Sequence, residues 1–368
     1  VTAATEERLD AHTMREHGWR RLVLAVAAAA AVSVVSTWPP SLALIALGVH
    51  WLLPIASFGA LVLMAVAACA VAAWGRGGRV LPALLAIVAV SVWLWRGAPA
   101  GPMGALTTGW SLLVAAAFGV MCLREGPVSF VQRALPAVAL AAGLGLVGVV
   151  WASTGKPDGL GGVARAYEQS FVAKRDGLLT AWTARRSAPD WRAVVERVPA
   201  VGEVADRSAA GLANASPLTS LLPALLVLES LAALTLAWAI WHRLARARLG
   251  PPLARLSQFR FNDQLIWGLV VGATLVLLPS LDGWRGAGVN LVVVFGALFA
   301  LRGLGVLLWW LPDRYAPVPL LVLVVCIPLL GPVLVLATVA VLALGLGLGD
   351  TWRDFRRTSR TWRPEARP

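Results

Sequence analysis

The chain is short of charge. Only 14% of its 368 residues are Asp, Glu, Lys or Arg, 58% are hydrophobic, and the mean hydropathy is +0.74. Soluble domains run near 25% charged, so this composition excludes one and calls for lipid as the solvent. Histidine is scarce and scattered, at positions 12, 17, 50 and 242. No carboxylate pair and no Ser-His-Asp set lies within the apolar runs, so an intramembrane enzyme is not expected. A Walker-type phosphate loop is missing too, which rules out an ATPase of its own. The three cysteines, Cys69, Cys122 and Cys326, have no paired spacing and sit in or beside apolar runs. They read as small buried hydrophobes, not as a disulfide or a metal site, and no cofactor is implied. Tyrosine is nearly absent, at 2 against 18 Trp. Trp19, Trp38, Trp74, Trp151, Trp241, Trp309 and Trp310 near the ends of apolar runs suit interfacial belts.

What is present is a succession of membrane-length runs. The net charge of +13 would suggest nucleic acid in a soluble protein. Here the bases cluster at the ends of apolar runs, where they set orientation and meet anionic lipid headgroups; no nucleic-acid motif accompanies them. The expected architecture is all-α, a polytopic helical membrane bundle of about ten segments, some short or re-entrant. A cytoplasmic segment, 1–21, holds four acids and four bases. An N-terminal membrane bundle spans 22–152, with an uncleaved first span near 22–37. The run 41–74 is too long for one crossing and is broken by Pro54. It reads as a short piece before a span near 52–74, or as a hairpin. Spans near 79–96, 104–123 and 131–152 follow. The last contains Gly143-Leu-Gly145-Leu-Val-Gly148, which spells a dinucleotide fingerprint but lacks the strand and turn such a site needs, so helix packing is expected.

Residues 153–216 form the one long polar insertion. Positions 154–215 carry nine basic and seven acidic residues. Val163, Tyr167, Phe171, Leu178 and Trp182 recur at helical spacing, predicting an external amphipathic helix. Trp191, Val194, Val195 and Val198 predict a second, stopped by Pro199. A C-terminal membrane bundle spans 217–349, and its loop 243–262 holds five Arg and no acid. The run 317–349 is read as a hairpin broken at Pro328 and Gly331-Pro332, which keeps the basic tail 350–368 inside. Both termini are then cytoplasmic.

Two charges fall inside apolar spans, Glu229 in 217–241 and Arg302 in 286–311. A charge at mid-membrane costs roughly 2.5–3.5 kcal/mol on insertion scales and calls for a partner. Similar depth predicts that the two pair, with Asn290, Gly303 and Gly305 lining a candidate cavity. The C-terminal Asp350-Thr-Trp352-Arg-Asp354-Phe355-Arg356 element predicts an ordered interfacial turn.

Those C-terminal residues carry a family resemblance. Asn290-Leu-Val-Val-Val, then Arg302-Gly303-Leu-Gly-Val-Leu, the Pro-broken hairpin and the Asp350–Arg356 element resemble the YybS-like bacterial membrane proteins, which have no assigned function. The resemblance covers roughly 160–358. This chain departs at Arg302, where the family often has Gln. The family is in turn distantly similar to substrate-binding subunits of energy-coupling-factor transporters and to the shape-determining protein MreD. It implies a small-solute-binding or transport subunit; a membrane scaffold for cell-envelope partners is the alternative. Either implies partners among other membrane-protein subunits.

Overall fold

The computed structural model describes residues 24–28, 30, 58–97, 101–124, 126, 128–154, 159–216, 218–245, 248–310 and 332–355. Among these there is no strand. Five helical stretches are long and apolar enough to cross a membrane: Phe58–Gly75, Met103–Leu123, Phe130–Trp151, Thr219–Leu244 and Pro279–Trp310. The chain divides into two compact units, Val1–Leu253 and Ala254–Pro368.

Unit 1 is built around α1, Phe58–Gly75, which is apolar on every face and buried from Gly59 through most of its length. A helix with no polar stripe must be surrounded, and α2 (Val80–Gly97), α3 (Gly101–Leu123) and α8 (Leu222–Leu244) pack against it. Its alanines allow close approach: a methyl built on Gly119 of α3 would lie 3.3 Å from Ala68 Cβ. Cys69 and Cys122 are both fully buried and free. The helix α4, Phe130–Ser153, packs on α3 and α8 and starts with a capping box, Ser129 N–H donating to Gln132 Oε1 at 3.1 Å. Within the Gly143–Gly148 stretch, Gly145 lies against the Trp110 ring, so that stretch is helix and the glycine a packing contact.

The polar stretch folds as three helices, α5 (Gly159–Ser187), α6 (Pro189–Arg197) and α7 (Pro199–Ala213). Tyr167, Phe171, Leu178 and Trp182 are buried along one side of α5. Trp182, Trp191, Ala205 and Ala209 close a small core of their own. Pro199 does end α6 as expected, but it also opens α7 from the first helical position, where its missing N–H costs nothing. The belt assignment fails at Trp241, which is fully buried; Trp151 is 82% exposed.

Unit 2 contains α9 (Ile266–Leu277), α10 (Arg285–Trp310) and α11 (Pro332–Arg353). The span expected over 264–281 is shorter than that. Leu278 turns extended and Pro279–Trp284 is a kinked 3₁₀ segment, which leaves α9 12 residues. That is about 18 Å, against a hydrocarbon core near 30 Å. Both α9 and α11 pack on α10, which is therefore the centre of the unit.

Residues 24–28 and 30 are helical, with Ala25 buried. The rest of the expected first span, the 41–57 piece, His12, His17, His50, Cys326, the 317–331 half of the hairpin, Arg356 and the tail beyond it lie outside the described residues.

Candidate functional site

The site begins with glycine. A methyl built on Gly303 would lie 1.8 Å from the Ala343 carbonyl oxygen, and one on Gly347 would lie 1.8 Å from that of Phe299. No side chain fits there, so α10 and α11 cross backbone against backbone, antiparallel in direction. This crossing carries the end of α11 alongside Arg302, the residue before Gly303. At the other flank α9 is drawn in the same way: a methyl on Gly268 would strike the Phe295 ring, and Gly272 and Gly288 face one another.

Arg302 is 4% exposed, and each of its guanidinium nitrogens donates. Its Nε donates to Asp350 Oδ2 at 2.9 Å, and one Nη donates to the Asp350 carbonyl at 3.2 Å. The other Nη donates to Asp263 Oδ1. Asp350 is itself buried, and its second carboxylate oxygen accepts the Phe355 N–H at 3.1 Å. The Phe261 ring lies 5.6 Å from the guanidinium carbon and meets Phe299 edge-on at 5.1 Å. Asp263 is the most exposed partner, its side chain 59% accessible. It opens a 3₁₀ turn that Asn262 caps by accepting the Gln264 N–H.

The expected C-terminal turn lies in this cluster. Helix α11 ends at Arg353, Asp354 takes a left-handed φ of 38°, and Phe355 folds back. Its ring stacks edge-on with Trp310 at 5.8 Å. Gly349 makes room, since a methyl there would sit 2.9 Å from that ring. Arg260 pairs with the Asp354 carboxylate through both terminal nitrogens. Trp352 is exposed.

Within its own unit the carboxylates that pair with Arg302 are Asp263 and Asp350, which the expected pairing with Glu229 did not include. The long Arg302 side chain reaches the last turn of α11 and the turn before α9, so acids at two helix ends meet it. Depth counted along one helix could not reveal that. The expected group of Asn290, Gly303 and Gly305 is spread along α10. Asn290 is twelve residues before Arg302, about 18 Å along the axis, and its amide donates to the Gly286 carbonyl at 2.7 Å. Gly303 faces the α11 backbone and Gly305 is buried.

Glu229 belongs to unit 1, where it is 5% exposed on α8. Its charge acts on Lys174 and Tyr167 of α5. Burial pushes the Lys174 ammonium below its ordinary range, and Glu229 partly offsets this. Burial also raises the Tyr167 phenol, which hydrogen-bonds at Leu218. The α5 spacing signalled burial of Tyr167, but nothing in the sequence placed Lys174 beside an acid of α8.

Residues 207–347 match a family model described as "Predicted membrane protein (DUF2232)". The match covers less than half the chain and takes in Glu229, Asp263, Arg302 and Gly303. No curated protein and no solved structure matches. The apolar helices and this match together make the chain an integral membrane protein.

Proposed function

We propose that the protein is a non-catalytic scaffold or accessory subunit of a membrane complex in the bacterial cytoplasmic membrane. The use made of Arg302 carries this reading. In a solute-binding site the buried charge would face a cavity. Here it is held by Asp350 and Asp263, and the neighbouring glycine is filled by helix backbone. A buried ion pair of that kind serves to fix one arrangement of helices. It locks α10, α11 and the turn before α9 without leaving a donor set for a ligand. In this reading about ten segments cross or enter the membrane, both termini are cytoplasmic, and α5–α7 lie outside.

A solute-binding or transport subunit is the second reading, and one observation favours it. Glu229, Lys174 and Tyr167 place ionisable groups at the contact of the polar α5 with the membrane helix α8. Such a subunit needs an external motor, as in energy-coupling-factor transporters. Affinity purification of the full chain from native membranes in mild detergent separates the two. Stoichiometric recovery of envelope-synthesis membrane proteins supports the scaffold. Recovery of a nucleotidase and coupling subunit, or thermal stabilisation by a small solute that Glu229→Gln abolishes, overturns it.

A further inference from the structure

Three helices of unit 1 end together. Leu123 of α3 lies against Gly75 of α1, a methyl on Gly75 falling 2.9 Å from Leu123 Cδ2. Arg76, the residue after α1, donates to the carbonyls of Arg124 and Leu249, the first beyond α3 and the second shortly beyond α8. Arg133 donates to the carbonyls of Met121 and Arg124, both at 2.8 Å, and to those of Gly126 and Val128. Two guanidinium groups therefore share one carbonyl, and the Arg124 side chain, which is exposed, adds a third positive charge within electrostatic reach. No carboxylate pairs with Arg76, Arg124 or Arg133 among the described residues. The carbonyl ends of helices offset part of this charge but supply only about half an elementary charge each. Arg76 still has a buried Nε–H with no acceptor.

An apolar groove of about 450 Å³ runs into the same end. It lies between α1, α2 and α3 and opens along the surface of the bundle. Its lining reaches from Met64 and Leu112 to Ala72 and Leu123, the last directly before Arg124. Leu112 to Leu123 is about 16 Å of helix, close to half the thickness of a hydrocarbon core, the depth of one leaflet. A free anion has no use for such a groove, and a neutral apolar chain has none for the arginines.

We propose that this end of unit 1 binds an anionic phospholipid, its phosphate held by the exposed Arg124 side chain and one acyl chain lying in the α1–α2–α3 groove. Arg76 and Arg133, whose terminal donors go to carbonyls, contribute their field. The full-length protein, stripped in detergent and offered phosphatidylglycerol or phosphatidylcholine of the same chains, is weighed intact by native mass spectrometry. Phosphatidylglycerol should be retained at least about fivefold better, and Arg124→Gln should remove most of that preference, at roughly the value of one surface arginine. Ala116→Phe places a ring in the groove and should lower retention of both lipids while leaving their ratio alone. Equal retention by the unaltered protein, or an unchanged ratio in Arg124→Gln, overturns the proposal. So does loss of bound phosphatidylglycerol to millimolar inorganic phosphate, which would make the arginines a site for the free ion.

Discussion

The two units bury a guanidinium group in different ways. In unit 1, Arg133 is 1% exposed and is answered by four backbone carbonyls at the end of α3 and the turn beyond it. In unit 2, Arg302 is answered by two carboxylates, one of them fully buried. Carbonyls satisfy hydrogen bonds and leave net positive charge; carboxylates remove the charge. The first solution leaves an end that attracts anions. The second leaves a closed lock. Unit 2 also packs closer: a methyl on Gly303 or Gly347 would lie 1.8 Å from a carbonyl oxygen, while between α1 and α3 a methyl on Gly119 would stop 3.3 Å from Ala68 Cβ.

The comparison breaks hardest at Asp350. Asp350→Asn leaves Arg302 with its buried charge only half answered, through the exposed Asp263. Removing one partner of a buried pair costs about 3–5 kcal/mol. Denaturation in mixed micelles should show that loss. The double change Arg302→Met with Asp350→Leu should recover much of it, because apolar isosteres of a buried pair are tolerated. Single losses that simply add would mean the pair does not act as a unit.

Next in size is the crossing. Gly303→Ala and Gly347→Ala each put a methyl against a carbonyl oxygen of the opposite helix, and backbone cannot step aside as a side-chain tip can. The cost should reach or exceed the upper part of the usual 1–3 kcal/mol for overpacking. Gly143→Ala, with open space around it in α4, is the control and should be near neutral or slightly stabilising. Equal losses at all three positions would remove the distinction.

Much of this was legible in the sequence, and the missing part has one cause. Apolar run length placed α2, α3, α4, α8 and α10 within a few residues, because hydrocarbon thickness sets that length. The spacing of Tyr167, Phe171, Leu178 and Trp182 announced a buried face on α5. Arg302 stood out as a charge needing a partner. Its partners stayed hidden, because which acid reaches it depends on which helices end beside it. Asp350 looked like part of an interfacial turn, and Asp263, between the basic loop and the next span, drew no reading. Trp241 was misplaced for the same reason: sequence gives depth along a helix, and lateral position must come from packing. Gly303 was noticed, yet as an opening and not as the closest contact in the unit.

In unit 1 the corresponding test is Arg133→Met. It keeps the volume and the apolar stem while withdrawing the donors from the carbonyls of Met121, Arg124, Gly126 and Val128. Leaving such groups unsatisfied costs about 1–3 kcal/mol. The loss should be smaller than at Asp350, because no charge is left buried alone and the repulsion from Arg76 and Arg124 is relieved. A larger loss than Asp350→Asn would invert the contrast between the two solutions.

The smallest effect is expected where unit 2 carries an ion pair that is not a lock. Arg260 and Asp354 form a two-pronged pair, but their side chains are 46% and 38% exposed. Water solvates both partners when the pair opens, so Arg260→Gln should cost no more than about 1 kcal/mol, and less as salt is raised. Asp354 sits at a φ of 38°, where most side chains are strained and glycine is not. Asp354→Gly therefore loses the same pair while relieving the backbone, and should fall close to the unaltered protein. Measured beside Asp350→Asn four residues earlier, the two variants separate burial from proximity. If Arg260→Gln cost as much as Asp350→Asn, the exposed pair would be part of the lock, and the ion-pair cluster around Arg302 would have to be drawn wider.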